Sequence, residues 1–185
     1  EAQHANLHED TTGPGRYELD PRFTDRVPLP LEDAGYRGAV AADVAGITYR
    51  QLDYWARTGL VVPSVRGASG SGSQRLYGFH DILVLKLVKR LLETGISLQQ
   101  IRAAVQRLHD IGVSDLTGVT LMSDGASVYL CTSNDEVIDL VHQGQGVFGI
   151  AVGKVIHEVE DNLERLGASA TPIDELAERR RRRAS

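Results

Sequence analysis

Arg50, Tyr54 and Arg57 stand at i, i+4 and i+7, so on a helix they line one face as two guanidinium donors and a phenol. A row of that kind suits a nucleic-acid groove. Tyr49 and Arg50 would occupy the first helical turn, where side chains reach base edges, while Tyr54 and Arg57 lie further along and suit phosphates. The bland alternative is an ordinary charged helix face. Further on, Arg66 and Arg75 flank a run of glycines and serines that ends in Ser73 and Gln74. Glycine lets a phosphate approach closely, hydroxyls and backbone amides can donate to it, and the two arginines supply charge. Gly/Ser runs are also common as plain flexible loops.

The elements that must position these side chains are marked by caps. Thr48 is a good N-cap, and Gln51 three residues later can reach back to complete a capping box, with Ile47 and Leu52 at the staple positions. Leu52, Trp55 and Ala56 form the inward face and Gly59 supplies the left-handed stop. Gly46 falls in a short turn before Thr48, so two helices joined by a glycine turn are expected, as in a helix-turn-helix. The grammar repeats at Thr94-Gly95, with Ile96 and Ile101 bracketing Ser97. These signals predict helices at about 38–45, 49–58, 80–94 and 98–109.

Charge is distributed unevenly. The net charge is −5, yet residues 36–110 carry 10 basic and 5 acidic side chains, whereas 111–178 carry 2 and 12 and residues 1–35 carry 3 and 8. The segment with the exposed row is basic inside an acidic protein, which gives a polyanion a defined place to bind. Residues 179–183 are five arginines, either a solvated tail or a source of non-specific DNA affinity. A single cysteine, Cys131, excludes an intramolecular disulfide and a cysteine-rich metal site and fits a reducing cytoplasm. No apolar run approaches membrane-spanning length, and no secretory signal is present, although the chain starts at Glu1 with no initiator methionine.

The rest of the chain divides by pattern. Residues 1–35, with Pro14, Pro21, Pro28 and Pro30, are expected to be an extended or disordered arm on which Tyr17, Leu19 and Phe23 could dock to a neighbour. Beyond residue 112, alternation around Asp124-Gly125 predicts a hairpin, followed by a helix at about 134–142, a strand near 147–152 and a helix carrying Val155, Ile156, Val159, Leu163 and Leu166. The expected fold class is therefore α+β: a DNA-binding unit at 36–112, a small ββαβα domain at 113–167 and a basic, disordered tail at 168–185.

From Val40 to Leu108 the sequence resembles the MerR family of winged helix-turn-helix transcription regulators. The matching residues are Gly46-Ile47-Thr48, Arg50, Leu52, Tyr54-Trp55, Arg57, Gly59-Leu60, Pro63, Arg66, Arg75-Leu76-Tyr77, Asp81-Ile82 and Gly95 through Ile101. The whole chain looks most like an actinobacterial branch of regulators of growth and cell division. The resemblance implies that Thr48, Tyr49, Arg50, Tyr54, Arg57, Arg66, Ser73, Gln74, Arg75 and Tyr77 face double-stranded DNA, although Tyr77 could equally close the wing against the core. Asp53 departs from the pattern, since relatives often have a basic residue there. It would weaken backbone binding or select a base by accepting from cytosine. The small α/β segment departs too, because the family usually continues into one long dimerising helix, and metal-sensing members carry several cysteines where this chain has one.

Other constellations fail. Gly144 to Gly149 spells G-x-G-x-x-G, but a dinucleotide site needs a strand before it and a helix after, and the order expected here is the reverse. Cys131 with Asp139 and His142 reads better as a buried structural thiol than as a nucleophile with partners. The sequence thus points to a non-enzymatic, cytoplasmic, homodimeric regulator on an inverted-repeat promoter site, without cofactor, metal or membrane. The resemblance implies that it distorts promoter DNA for RNA polymerase. The apolar faces of the 80–94 and 154–166 helices are candidates for the dimer contact, and a small-molecule effector is left open. An architectural or excisionase-like DNA-binding protein is the alternative.

Overall fold

A computed structural model describes residues 34–65, 75–144, 148–167 and the backbone of 171–172. The arm through residue 33, the Gly/Ser loop with Arg66, Ser73 and Gln74, and the arginine run lie outside the described residues. The chain opens with strand β1 (Ala34–Arg37) and helices α1 (Gly38–Ala45) and α2 (Tyr49–Arg57), and after the loop come β2 (Leu76–Tyr77), α3 (Phe79–Glu93) and α4 (Leu98–His109). All four helices start and stop close to where the caps put them. Thr48 accepts from the Gln51 amide at 3.1 Å, and the Gln51 side chain accepts from the Thr48 amide at 3.0 Å, which completes the capping box. Ser97 likewise accepts from the Gln100 amide at 3.3 Å.

Next come a one-turn helix, α5 (Val113–Leu116), that the periodicity did not predict, then β3 (Thr120–Ser123), β4 (Val128–Cys131), α6 (Asn134–His142), β5 (Phe148–Ala151) and α7 (Val152–Arg165). The hairpin forms around Asp124-Gly125, with Ser123 opposite Val128, so four residues make the connection. Asp124 holds the turn by accepting from the amides of Ala126 at 2.9 Å and Ser127 at 2.7 Å. The sheet order is β4-β3-β5, all antiparallel, so both edges of β3 are covered from within the chain and β4 and β5 are outermost.

Two boundaries differ from expectation. Ala34 and Gly35, assigned to the arm, belong to β1, and Thr171 and Pro172, assigned to the tail, form β6 beside it, Gly35 opposite Thr171 and Ala34 opposite Pro172. With Tyr36 opposite Tyr77, β1 becomes the middle strand of a second small sheet, β2-β1-β6. Pairing between segments this distant in sequence leaves no local signature, and both segments are too short to show a period of two.

Core packing differs as well. Helix α3 is buried on nearly every side, at Phe79, Ile82, Leu83, Leu85, Leu87, Val88 and Leu91, because α1, α4 and α7 all pack on it. Val152, Val155, Ile156, Val159 and Leu163 of α7 belong to the same buried cluster as Ala41, Trp55 and Ile101, so apolar residues on both sides of residue 112 share one core. Burying five such side chains is worth on the order of 10 kcal/mol. The apolar faces of the two helices expected to supply a dimer contact are therefore turned toward each other. Glu158 adds an ion pair across that seam, with Arg90 at 2.6 Å and Lys86 at 3.6 Å. Burial works against its charge, but the two cations outweigh it and hold the carboxyl below its ordinary range.

Candidate nucleic-acid interface

Helix α2 is presented by what lies beneath and at its ends. Leu52 and Trp55 are buried against the core, which turns the opposite face outward. Tyr49 is 61% exposed and Tyr54 52%, and Arg50 and Arg57 are exposed beside them, so the row expected at i, i+4 and i+7 is on the surface. Among the described residues Arg50 has no ion-pair partner. Gly46 at φ +72° turns the chain between α1 and α2, and Gly59, also at +72°, ends α2 in a conformation that costs a side chain about 1–2 kcal/mol. Arg102 of α4 donates to the Thr58 carbonyl at 3.1 Å and so ties the open end of α2 to the second helix pair. Arginine at a helix C-terminus also opposes the dipole.

The loop begins and ends on one carboxylate. Asp81, 7% exposed in the first turn of α3, accepts through Oδ2 from the Ser64 amide at 2.9 Å, the Ser64 hydroxyl at 2.7 Å and the Gly78 amide at 2.8 Å. Those donors lie on either side of the Gly/Ser loop, so Asp81 closes its root. In the sequence Asp81 stands out only as one of the residues that carry the family resemblance. The available signal was an acidic residue at N3 behind Gly78, which marks a helix start and does not disclose the bond to Ser64.

Three of the charged residues meet. Asp53 Oδ2 accepts from Arg57 Nε at 2.8 Å, and Asp53 Oδ1 accepts from Arg75 Nη1 at 2.6 Å, joining α2 to the end of the loop. The Arg75 hydrogen bond, with help from Arg57, holds the Asp53 carboxyl below the usual carboxylate range, and the same bond raises Arg75. In the free protein each Asp53 oxygen is occupied by an arginine. Neither of the roles anticipated for Asp53 included that pairing, because Arg75 is 22 residues away.

Tyr77, expected to face DNA with closure against the core as the equal alternative, is found in the core: it is 0% exposed, and its hydroxyl has no hydrogen-bond partner among the described residues. Burial pushes its pKa up to about 12. Strand β2 pairs with β1 at this position, and that pairing turns the ring into the core. Of the other expected contacts, Thr48 is at the exposed start of α2, occupied as a cap, and Arg66, Ser73 and Gln74 lie outside the described residues.

The surface that results is a compact set of donors, Arg50, Arg57 and Arg75, with two phenols on a single short helix, above a loop root held by a buried acid. Such a surface can place one helix in a groove and rest a loop on the flanking backbone. A family model described as the MerR HTH family regulatory protein matches residues 36–108. An HTH-type transcriptional regulator of Mycobacterium tuberculosis is 60% identical over 163 residues, 84% of this chain and 72% of that protein, and one of Mycobacterium bovis matches equally. The chain belongs to the MerR family of helix-turn-helix transcription regulators.

A more distant relative, the HTH-type transcriptional regulator HmrR of Sinorhizobium medicae, is 34% identical over 83 residues, 44% of this chain and 54% of that one. A heavy metal-dependent transcription regulator of Rhizobium meliloti is 35% identical over 65 residues, 35% of this chain. For this regulator, the described residues contain no group of three or more His, Cys, Asp or Glu able to hold a metal. Cys131 is buried, and burial together with Glu136 pushes its thiol pKa up, away from thiolate chemistry. Helix α6 precedes the G-x-G-x-x-G string and β5 begins within it, at Phe148, the opposite of the strand-then-helix order of a dinucleotide site. No described helix is long and apolar enough to cross a membrane.

Proposed function

We propose that this regulator binds an inverted-repeat promoter site as a homodimer in the cytoplasm, each copy placing α2 in a major groove and its wing, 66–75, on the adjoining backbone. The observation that carries the proposal is the exposed row Arg50, Tyr54 and Arg57 with Arg75 drawn up beside it. A single helix reads only a few base pairs, so useful specificity needs two half-sites related by a two-fold axis. Residues 36–112 carry DNA recognition and 113–167 carry assembly. Because α3 and α7 are occupied with each other, the surface we assign to a second copy, among the described residues, is α6, which buries none of its residues and exposes Ile138 and Val141, together with the outer edge of β4. Bending and untwisting the promoter for RNA polymerase costs about 1–6 kcal/mol by elastic estimates, to be offset by contacts in both half-sites.

Enrichment of bound duplexes from a random library, followed by titration at one salt concentration, tests this reading. Arg50→Ala is expected to lose about 1–3 kcal/mol on the enriched site through a lost base contact, and less on random duplex. Wild-type affinity for that variant would remove α2 from the interface. Sedimentation of the protein, free and on its site, should report two copies per duplex, and a monomer in both states would eliminate the dimer.

A further inference from the structure

We infer that Asp53 determines how selectively this regulator binds duplex DNA, by holding Arg57 and Arg75 on one carboxylate and thereby withholding them from phosphates met out of register. The inference rests on the proposed function and goes beyond it, because it assigns a role to an acidic residue inside a row otherwise built of donors.

The geometry is specific about which atoms are committed. Asp53 takes the Nε hydrogen of Arg57 and one Nη1 hydrogen of Arg75, at 2.8 and 2.6 Å. An arginine has five N–H donors, so among the described residues Asp53 commits only one on each guanidinium, but its direction is set. Arg57 extends from the exposed face of α2 and Arg75 is mostly buried, 19% exposed, at the end of the loop, so the carboxylate joins the two elements that must contact DNA together. A phosphate arriving at a random register has to compete with a carboxylate already in place. At the cognate register, Arg50 and its neighbours fix the helix against the bases, and the donors that Asp53 leaves uncommitted reach the backbone without leaving it. A bare acidic residue in this position would only repel the polyanion. Two arginines around it convert that repulsion into orientation, at the cost of one unit of positive charge.

Asp53→Asn and Asp53→Glu test this in the full chain. Asn keeps the shape and removes the charge, freeing the arginines to take about one more phosphate on a duplex met out of register. Counterion release then predicts that affinity for random duplex rises about eightfold at 0.1 M salt and that the slope of log K against log salt steepens by about 0.9. Affinity for the enriched site should change less than about twofold, because its contacts are already made, so the ratio of specific to random binding shrinks at least about fourfold. Asp53→Glu keeps the charge and should keep the wild-type slope. Thermal melts of both variants should match the wild type, since all three side chains are at least partly exposed.

An unchanged ratio in Asp53→Asn, or equal gains on both duplexes, overturns the inference. Loss of preference at a single C·G pair overturns it differently, by showing that Asp53 reads a base itself. If the wild-type protein already binds all duplexes alike, the proposed function fails and this inference with it, and that result is recognised before any substitution is made.

Discussion

Replacing Asp81 by Ala removes the one carboxylate oxygen on which both ends of the wing converge. The Ser64 donors are at an exposed residue and recover hydrogen bonds from water, so their loss costs little. The Gly78 amide is buried and cannot, and an orphaned buried donor costs about 1–3 kcal/mol. Asp81 also stands in the first turn of α3, where a negative charge favours the helix by about 0.5–1 kcal/mol. The expected destabilisation is therefore about 1.5–4 kcal/mol, which in a chain of this size lowers Tm by about 3–16 °C. Asp81→Asn keeps an acceptor oxygen and should lose about half as much. Denaturant titration gives the stability, and binding to the enriched duplex, measured well below Tm, reports on the wing. Both variants should bind more weakly than wild type while α2 remains folded. A stability within about 0.5 kcal/mol of wild type for Asp81→Ala would refute the claim that this acid closes the wing root, whatever happened to DNA binding.

Tyr77→Phe deletes a buried hydroxyl that has no partner among the described residues, so stability should be unchanged or rise by up to about 1 kcal/mol, and DNA affinity should be unchanged. A fall in affinity with stability preserved would show that the ring leaves the core on binding and that the interface role expected from sequence was right. The same phenol predicts an alkaline limit. Its folded pKa of about 12 lies above the ordinary value of 10.0, so the contribution of its neutral form is complete below pH 10 and is lost as pH rises through 12, with Tyr36, also raised by burial, adding in the same direction. Denaturant midpoints followed at stepwise pH should fall across that window, and tyrosinate absorbance should show a late-titrating fraction that vanishes on unfolding. Flat midpoints would place the ring in water.

What was legible in the sequence is what is decided within a turn or two of chain. Thr48 and Gln51 are three residues apart, so their reciprocal bonds, the start of α2 and the outward row Arg50, Tyr54 and Arg57 follow from spacing alone. The same holds for the Ser97 cap, the stop at Gly59 and the hairpin at Asp124-Gly125. Hydrogen-bond reach and helical periodicity act over those distances whatever the rest of the molecule does.

Tertiary structure decided which residues each element meets. The apolar faces of α3 and α7 were visible as faces, but periodicity reports that a stripe will be buried and cannot say whether its partner is the same chain or another copy. Tyr77 looked equally suited to solvent or core until β1 paired with β2 and turned its ring inward. Asp53 and Arg75, 22 residues apart, and Asp81 and Ser64, 17 apart, became partners only when Arg75 came to lie beside α2 and Ser64 beside α3. A carboxylate finds its arginine through space. The composition of the row could be read in advance, but the pairing that tunes it depends on loop closure and packing, and these are properties of the whole fold.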